Sequence, residues 1–398
     1  MFKTIIIGVF MVLYLYTLSF DIFLNQKIRI PTPLFSAIPL IVLFGSFKGN
    51  KLLYLREFIF VGLGLFLFYV LGQADIKSFY VNLFVIIICG LYFNYFVRSN
   101  SRRFNYTVLI FVLLLLFSSV VMLLNHQLGP AIDLLRAQLI GREIEQSPSG
   151  IAASIFTFGY QVAALTTFAF LYTMKFRWPF YLQVVVLGFC LIFIYFGMQR
   201  SAVVTFVFTV LLFLIFYYKS KAIFVVGVLS VVGFLLFNFI NTQQANSSTQ
   251  YDNVFAKNER KSGENRSSLV TENLEIYGNY PYGLIFYGKS WSDVTRNSHI
   301  FGNGLTSHNA YLMFITYLGP FLGVALLISI FYRPIKAFLM AVSDVRDEEN
   351  AMLICLSFAL LAVSINSLFH NGWLLDGNGP TVFLFFATLH RSKMNDIQ

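Results

Sequence analysis

The sequence predicts an all-α polytopic membrane protein, and three observations lead to this prediction. The 398 residues are 58% hydrophobic and only 12% charged, which is too apolar for an ordinary soluble domain. Apolar runs of about 20 residues, the length that crosses a bilayer as a helix, recur along the chain. Because backbone groups in lipid must be hydrogen-bonded internally, we interpret these runs as helices and not as open sheet.

Twelve spans are predicted from the apolar runs. In chain order they cover 4–24, 32–47, 57–73, 78–97, 104–124, 150–173, 179–198, 201–218, 222–240, 309–331, 350–368 and 373–389. The three cysteines, Cys89, Cys190 and Cys355, all lie inside these runs. They therefore indicate neither a disulfide framework nor a metal site.

The spans divide the chain into five segments. These are 1–124 with spans one to five, 125–149, 150–240 with spans six to nine, 241–308, and 309–398 with spans ten to twelve and a tail. In segment 125–149, Gly129-Pro130 is followed by apolar residues at helical spacing, which predicts a short amphipathic helix at the surface.

Segment 241–308 is a large loop between spans nine and ten, and a loop of this length needs a functional reason. Its first part is polar, and we expect no regular structure there. Val270, Leu274 and Tyr277 then share one face of a predicted helix that begins near Ser267. The loop is therefore expected to be partly helical.

Lysine and arginine predict the orientation of the chain. If the N-terminus is cytoplasmic, the inner loops and tails carry 16 of the 28 basic residues and the short outer loops carry 6. The remaining 6 lie in the large loop, and long loops cross the membrane regardless of charge. Both termini are therefore predicted to be cytoplasmic, and topology explains the net charge of +10 without nucleic acid binding.

His308 is the first candidate catalytic residue. It begins span ten in the stretch "TSHNAYLMF", where Ser307 or Asn309 can cap the helix. The positive end of the helix dipole disfavours an imidazolium ion, so a neutral imidazole there can act as a general base. The alternative is that His308 only caps the helix or lies among lipid headgroups.

Two arginines are candidate anion-binding residues. Arg200 interrupts an almost continuous apolar stretch at the outer end of span seven, beside the helix N-terminus at Ser201. A guanidinium with helix N–H groups is a phosphate site, although an arginine at the membrane edge can also simply reach into the headgroup layer. Arg266 begins the predicted loop helix, and its alternative is a solvated loop residue.

Together these three residues describe one site on the non-cytoplasmic side. Two guanidinium groups would bind a diphosphate and a neutral base would lie nearby, so a lipid-linked diphosphate is the substrate class that fits. Since two arginines can neutralise the leaving group, the site needs no metal and no cofactor.

Four further residues are candidates for substrate binding. Arg136 and Arg142, in the short amphipathic segment, would bind donor glycan or phosphate, and the alternative for both is a solvated helix face. Asn309 and Tyr311 follow His308 directly in the chain and would contact substrate beside it.

Three motifs carry a resemblance to a known family. "GMQRSAVVTF", "NRSSLVTENLEIYGNYPYGLIFYG" and "SHNAYLMFITYLGPFLG" resemble, in order and spacing, the core of the bacterial O-antigen polymerase and O-antigen ligase superfamily over about 195–325. The glycines after His308 are Gly319 and Gly323, one residue wider than the spacing associated with ligases, and Pro320 lies between them. This spacing, together with a looser "YPYGLIFYG" turn, favours a polymerase.

The resemblance implies a function for each site residue. Arg200 and Arg266 would bind the pyrophosphate of an undecaprenyl-linked glycan donor, and His308 would deprotonate the acceptor sugar hydroxyl. Attack opposite the departing diphosphate predicts inversion. The implied location is the bacterial inner membrane, with both termini cytoplasmic and the site facing the periplasm. The implied partners are membrane lipid, the lipid-linked donor and acceptor, and a polysaccharide chain-length regulator.

Two alternative functions fit the same sequence. An O-antigen ligase, which transfers finished polysaccharide to lipid A-core, would use the same three residues. A transporter or flippase for lipid-linked sugars also suits twelve spans. The sequence has neither the internal repeat nor the charged residues deep in the spans that transport cycles usually need.

Overall fold

The computed structural model describes residues 2–22, 33–47, 51–223, 227, 266–298, 301 and 306–397. Every regular element within these residues is a helix, which confirms the predicted all-α class. In chain order the helices are α1 (Phe2–Ser19), α2 (Pro33–Phe44), α3 (Leu55–Leu65), α4 (Ile76–Leu91), α5 (Ser101–Leu128), α6 (Pro130–Ile140), α7 (Ile155–Lys175), α8 (Phe180–Phe196), α9 (Arg200–Tyr218), α10 (Arg266–Asn279), α11 (Trp291–Thr295), α12 (Ala310–Ser343), α13 (Ala351–Asn366) and α14 (Gly379–Ile397). Helix α3 continues as a π-helix over Phe66–Gly72, and α4 does so over Tyr92–Val97. Short 3-10 turns cover Lys219–Lys221 and Leu284–Tyr287.

Ten apolar helices overlap predicted spans. Within the described residues, seven are long and apolar enough to cross a membrane: Phe2–Ser19, Leu55–Gly72, Ile76–Val97, Ser101–Leu128, Ile155–Lys175, Arg200–Lys221 and Ala310–Ser343. Shorter apolar helices cover Phe35–Phe44, Phe180–Phe196 and Ala351–Asn366. The ninth predicted span, 222–240, lies almost entirely outside the described residues, as does the polar loop stretch 241–265. The total of twelve spans therefore stays a prediction.

Several predicted boundaries were wrong: α1 ends at Ser19 and not at 24, and α12 runs to Ser343 and not to 331. For two helix starts, local backbone chemistry explains the difference. Helix α7 begins at Ile155 and not at 150, because the Ser154 hydroxyl caps it by accepting from Thr157 N. Helix α14 begins at Gly379 and not at 373, because Gly377 adopts a left-handed φ of +63° that ends any helix before it.

The short helix predicted in segment 125–149 is present as α6. Helix α5 runs four residues further than predicted, to Leu128, and Gly129 then turns the chain with a φ of +53°. Pro130 occupies the first turn of α6, where its missing N–H costs nothing. The prediction that this helix lies on the surface was wrong for Arg136, whose side chain is fully buried.

Helices α7 and α13 form the centre of the bundle. Almost every residue of both helices is buried, including polar ones such as Gln161 and Asn366. Helix α13 packs against α7, α9, α12 and α14. Helices α7, α9 and α12 begin at one end of this bundle, which we call the His308 end.

The opposite end carries buried and half-buried basic side chains. Lys175, at the end of α7, donates from Nζ to the carbonyl oxygen of Val345 at 2.6 Å. Arg333 of α12 forms an ion pair with the buried carboxylate of Glu57 at 2.9 Å. A helix of the length of α7 spans roughly 30 Å, so Lys175 is far from the His308 end. Lys175 and Arg333 belong to the set predicted to face the cytoplasm.

The loop helix α10 begins where the sequence predicts, but it buries a different face. The buried residues are Leu269, Asn273 and Ile276, one position before the predicted Val270, Leu274 and Tyr277. Asn273 determines which face of α10 is buried, because its Oδ1 accepts from Oγ1 of Thr316 on α12 at 2.8 Å. A buried amide that is hydrogen-bonded across the interface outweighs the apolar pattern.

A pair of glycines joins the large loop to α12. Gly283 (φ +100°) lies against Gly319 (φ +78°), where α12 bends before Pro320. A Cβ atom on Gly319 would lie 2.0 Å from the carbonyl oxygen of Tyr282. Only glycine allows both this close approach and the left-handed backbone.

We expect Gly319→Ala to release the loop from α12, because the added methyl group meets backbone and the φ is unfavourable for alanine. Limited proteolysis of the purified protein should then cut the segment 266–298 faster than in wild type. Gly278→Ala, on α10, is the matched control, because its Cβ would meet nothing within 4 Å. Equal cleavage rates in Gly319→Ala and Gly278→Ala would contradict this account of the joint.

Candidate functional site

The predicted residues Arg200 and His308 stand at the starts of two helices at the same end. Arg200 is the first residue of α9 and is exposed, while half-buried His308 precedes the Asn309 cap of α12. Both helices are entered through a left-handed residue, Met198 (φ +55°) for α9 and His308 itself (φ +51°) for α12. Non-glycine residues rarely adopt this conformation, and such strain concentrates at functional sites.

His370, in the connection between α13 and α14, ties these two helix starts together. Its Nε2 lies 2.9 Å from the hydroxyl of Ser201, the residue after Arg200. Its carbonyl oxygen accepts from the N–H of Ala310, the first residue of α12, at 3.1 Å, and so does that of Ser367 at 3.0 Å. The connection therefore contacts the starts of both α9 and α12, which each pack against α13.

Phe156, at the start of α7, completes the arrangement. Its ring centroid lies 6.0 Å from that of His308 and 5.1 Å from that of His370. We call the group formed by Phe156, Arg200, Ser201, His308 and His370 the His308 site. It is built from the first turns of three helices, so several backbone N–H groups lie close by, which favours an anionic ligand.

Arg266 begins α10 as predicted, but the position of its guanidinium lies outside the described part of the structure. Helix α10 itself packs on α12, since Asn273 contacts both Thr316 and the sulfur of Met313. The large loop is thus attached to the same helix that carries His308. The predicted contact of Arg266 with a diphosphate stays a prediction.

Asn309 and Tyr311, the predicted substrate-binding residues beside His308, make internal contacts. The Oδ1 of Asn309 accepts from Leu312 N at 3.0 Å and caps α12. The Tyr311 hydroxyl donates to the carbonyl oxygen of Ser364 at 3.0 Å. These contacts orient the start of α12, and a direct role in substrate binding stays a prediction.

Among the buried polar atoms at this end without a hydrogen-bond partner within the described residues, three lie directly beside the site residues in the chain. They are Nε2 of Gln199, Oγ of Ser307 and Oδ1 of Asn371, which neighbour Arg200, His308 and His370 in the chain. Because buried polar atoms are nearly always paired, such atoms mark positions where a polar ligand or water fits. The His308 end is therefore suited to a ligand rich in hydrogen-bonding oxygens.

Arg136 was predicted as a substrate-binding residue or a solvated one, and the structure favours neither. Its guanidinium is fully buried and donates to Asp133 Oδ1 at 2.7 Å. Its other acceptors are Asn125 Oδ1, Ser147 Oγ, Ser149 Oγ and the carbonyl oxygens of Gly150 and Ala152. Each guanidinium nitrogen thus donates to at least one acceptor, and Arg136 organises the connection from α6 to α7.

Arg142 lies apart from the His308 site. It lines a polar cavity on the other side of the first turn of α7, where Thr157 faces the cavity and Phe156 faces the histidines. The structure therefore separates the two arginines of segment 125–149: Arg136 supports the fold and Arg142 borders an open space.

Comparison with protein-family models and with curated proteins finds no match for this chain. The resemblance to the O-antigen polymerase and ligase superfamily therefore stays a hypothesis based on three motifs. The geometry of the His308 site is the independent observation that bears on it.

We expect Arg136→Ala to destabilise the fold by at least about 3 kcal/mol, the scale of removing one partner from a buried charged network. Thermal unfolding of the detergent-solubilised protein should show a lower midpoint than wild type. Arg296→Ala, which removes an exposed and weak ion pair, is the control and should change the midpoint little. An unchanged midpoint for Arg136→Ala would show that the network does not stabilise the fold.

Proposed function

We propose that this protein is an inverting, metal-independent membrane glycosyltransferase that polymerises undecaprenyl diphosphate-linked oligosaccharide repeat units, as an O-antigen polymerase does. The observation that supports this most directly is the contact of His370 with Ser201 and Ala310. His370 thus contacts both the residue that follows Arg200 and the first residue of the helix that His308 precedes. This shared contact supports the proposal that the anion-binding group and the base belong to one site.

The anion site of this mechanism is the start of α9. Arg200 is exposed, and no ion pair of its guanidinium is found within the described residues. The first N–H groups of a helix are unsatisfied by the helix itself and attract phosphate. Arg200 and these N–H groups would bind the diphosphate of the donor, and Arg266 would add a second guanidinium.

The bond changes follow from this placement. His308 would accept the proton of an acceptor hydroxyl, whose oxygen attacks the anomeric carbon of the donor sugar. The bond between that carbon and the diphosphate oxygen breaks, and the electron pair leaves with undecaprenyl diphosphate. Positive groups beside the leaving oxygens stabilise the charge that develops there, and such electrostatic stabilisation commonly accounts for most of an enzyme's rate enhancement. Attack from the opposite face inverts the anomeric configuration.

A groove between α12 and α13 suits the lipid part of this substrate. It has a volume of about 370 Å³, and its lining is almost entirely apolar. Leu327 to Phe338 of α12 and Ser357 to Ser364 of α13 line it, and Tyr311, three residues after His308, borders it beside Phe331. A polyprenyl chain in the groove would place its diphosphate near the His308 site.

An O-antigen ligase would use the same catalytic and anion-binding residues as a polymerase. The acceptor molecule therefore distinguishes the two enzymes. Purified protein in liposomes should convert an undecaprenyl diphosphate-linked repeat unit, supplied alone and with EDTA present, into a ladder of longer chains. Product formed only after addition of lipid A-core would indicate a ligase. Transfer of the unaltered substrate across the membrane without product would indicate a transporter.

In that assay we expect His308→Gln to abolish the ladder, because glutamine keeps the approximate size and hydrogen bonding of the side chain but cannot accept the proton. The matched control is His126→Gln at the same end, where the His126 ring contacts the carbonyl oxygen of Phe196 at 2.8 Å. This variant should retain the ladder. A normal ladder from His308→Gln would rule out His308 as the base, whatever the variant's stability.

A further inference from the structure

A polar cavity of about 280 Å³ lies at the His308 end, on the far side of α7 from the His308 site. Its polar lining includes Asp21, Tyr69, Asn82, Arg142, Thr157 and Asp376. They come from the end of α1, the π-helix after α3, the start of α4, the connection after α6, the start of α7 and the connection before α14. Six separate parts of the chain thus contribute polar groups to one space.

The walls of this cavity are held in place by specific contacts. The Oδ1 of Asp21 accepts from Gly379 N at 3.1 Å, which joins the end of α1 to the start of α14. A Cβ atom on Gly379 would lie 1.8 Å from the carbonyl oxygen of Leu18, so the two segments meet closely. The Tyr69 hydroxyl donates to Asp376 Oδ1. The wide turn of the π-helix directs Tyr69 inward, and such turns often occur at functional sites.

The charges in the cavity are mixed. Burial raises the pKa of Asp376 to about 7, where the Tyr69 hydrogen bond opposes the shift and the neighbouring Asp21 adds to it. Burial also raises the pKa of Asp21 to about 6, and Arg142 and the Gly379 N–H oppose that shift. The two carboxyl groups and Arg142 border the same cavity, so their charges act on one another there.

Arg142 has an unused donor. Its Nε is buried and has no hydrogen-bond partner within the described residues, although the side chain as a whole is half-buried at the cavity wall. A buried guanidinium N–H is rarely left unpaired. Together with the carboxyl oxygens, the cavity presents both a strong donor and strong acceptors to whatever fills it.

The two carboxyl groups and the Arg142 guanidinium together disfavour binding of either a cation or an anion. A cation would be attracted by the two carboxyl groups but would face Arg142, and an anion such as phosphate would face the carboxyl groups. A neutral ligand with several hydroxyl groups can bind the carboxyl groups and Arg142 at once. Each hydroxyl donates to a carboxylate and accepts from a guanidinium or amide. The volume, equivalent to about nine liquid waters, accommodates a single sugar ring.

We propose that this cavity is a subsite that binds one neutral sugar residue of the glycan chain through hydrogen bonds to Asp21, Asp376 and Arg142. The assignment rests on the proposed function, since a glycosyltransferase must hold glycan next to its reacting groups. Thr157 in the cavity and Phe156 at the His308 site are consecutive residues of α7. The cavity and the His308 site therefore border the same first turn of α7. The subsite fixes the glycan in place and takes no part in the bond changes.

The test measures sugar binding without turnover. Purified protein in a zwitterionic detergent, which has no sugar headgroup, is examined by saturation-transfer NMR against neutral methyl glycosides of glucose, galactose, mannose and N-acetylglucosamine. Methyl glucuronide and methyl glucosaminide serve as the anionic and cationic probes. We expect binding of at least one neutral glycoside and weaker binding of both charged ones.

Two variants connect the binding to the cavity. Arg142→Gln and Asp376→Asn should each lower the neutral glycoside affinity about tenfold, the scale of losing one hydrogen bond to a charged group. The hydrogen bonds that hold the cavity walls do not involve Arg142, so Arg142→Gln should fold normally even if Asp376→Asn does not. Glu348→Gln, an exposed carboxylate at the opposite end, should bind as wild type does.

Binding that both variants retain, no neutral binding, or a preference for a charged probe would each overturn the subsite assignment. The ladder assay on the same wild-type preparation separates the two proposals. A ladder without sugar binding rejects the subsite and leaves the proposed function standing. Cavity-dependent sugar binding without a ladder rejects polymerisation and leaves a sugar-binding cavity.

Discussion

The hydrogen bonds of the connection between α13 and α14 are the constraint on which the His308 site depends. The carbonyl oxygens of Ser367 and His370 accept from Ala310 N, and the His370 ring contacts Ser201. Without them, the starts of α9 and α12 would be separate helix ends in a bundle. With them, the residue after Arg200 and the first residue after the His308-Asn309 pair share one contact, His370, next to buried polar atoms that lack partners within the described residues. The chemistry proposed for the site depends on these contacts between the connection and the two helix starts.

Much of the architecture could be predicted because apolar runs and helix breakers act locally. Ten apolar helices coincide with predicted spans, and the short helix α6 and the loop helix α10 begin where the sequence indicates. The placement of Arg200 and His308 at one end also follows from the alternation of spans. Boundaries failed where a cap or a left-handed glycine decides the start, as at Ser154 and Gly377.

The remaining features of the fold and the site depend on contacts between distant segments. A single sequence does not record such contacts. The local signal that distinguishes His370 from an ordinary interfacial histidine is the pair His370-Asn371, which repeats His308-Asn309. The burial of Arg136 required acceptors from α5, α6 and the connection to α7, and the buried face of α10 required a hydroxyl on α12. Asp376 is a carboxylate without a predicted role until the fold places Asp21 beside it.

The central claim is that the His308 end binds a lipid diphosphate through Arg200, and retention of lipid by the purified protein tests it most directly. Native mass spectrometry with undecaprenyl diphosphate and undecaprenol at equal concentration compares the same chain with and without the charged headgroup. The account predicts that wild type retains the diphosphate at least about tenfold better and that Arg200→Gln loses this preference. Equal retention of both lipids by wild type, or an undiminished preference in Arg200→Gln, would contradict it.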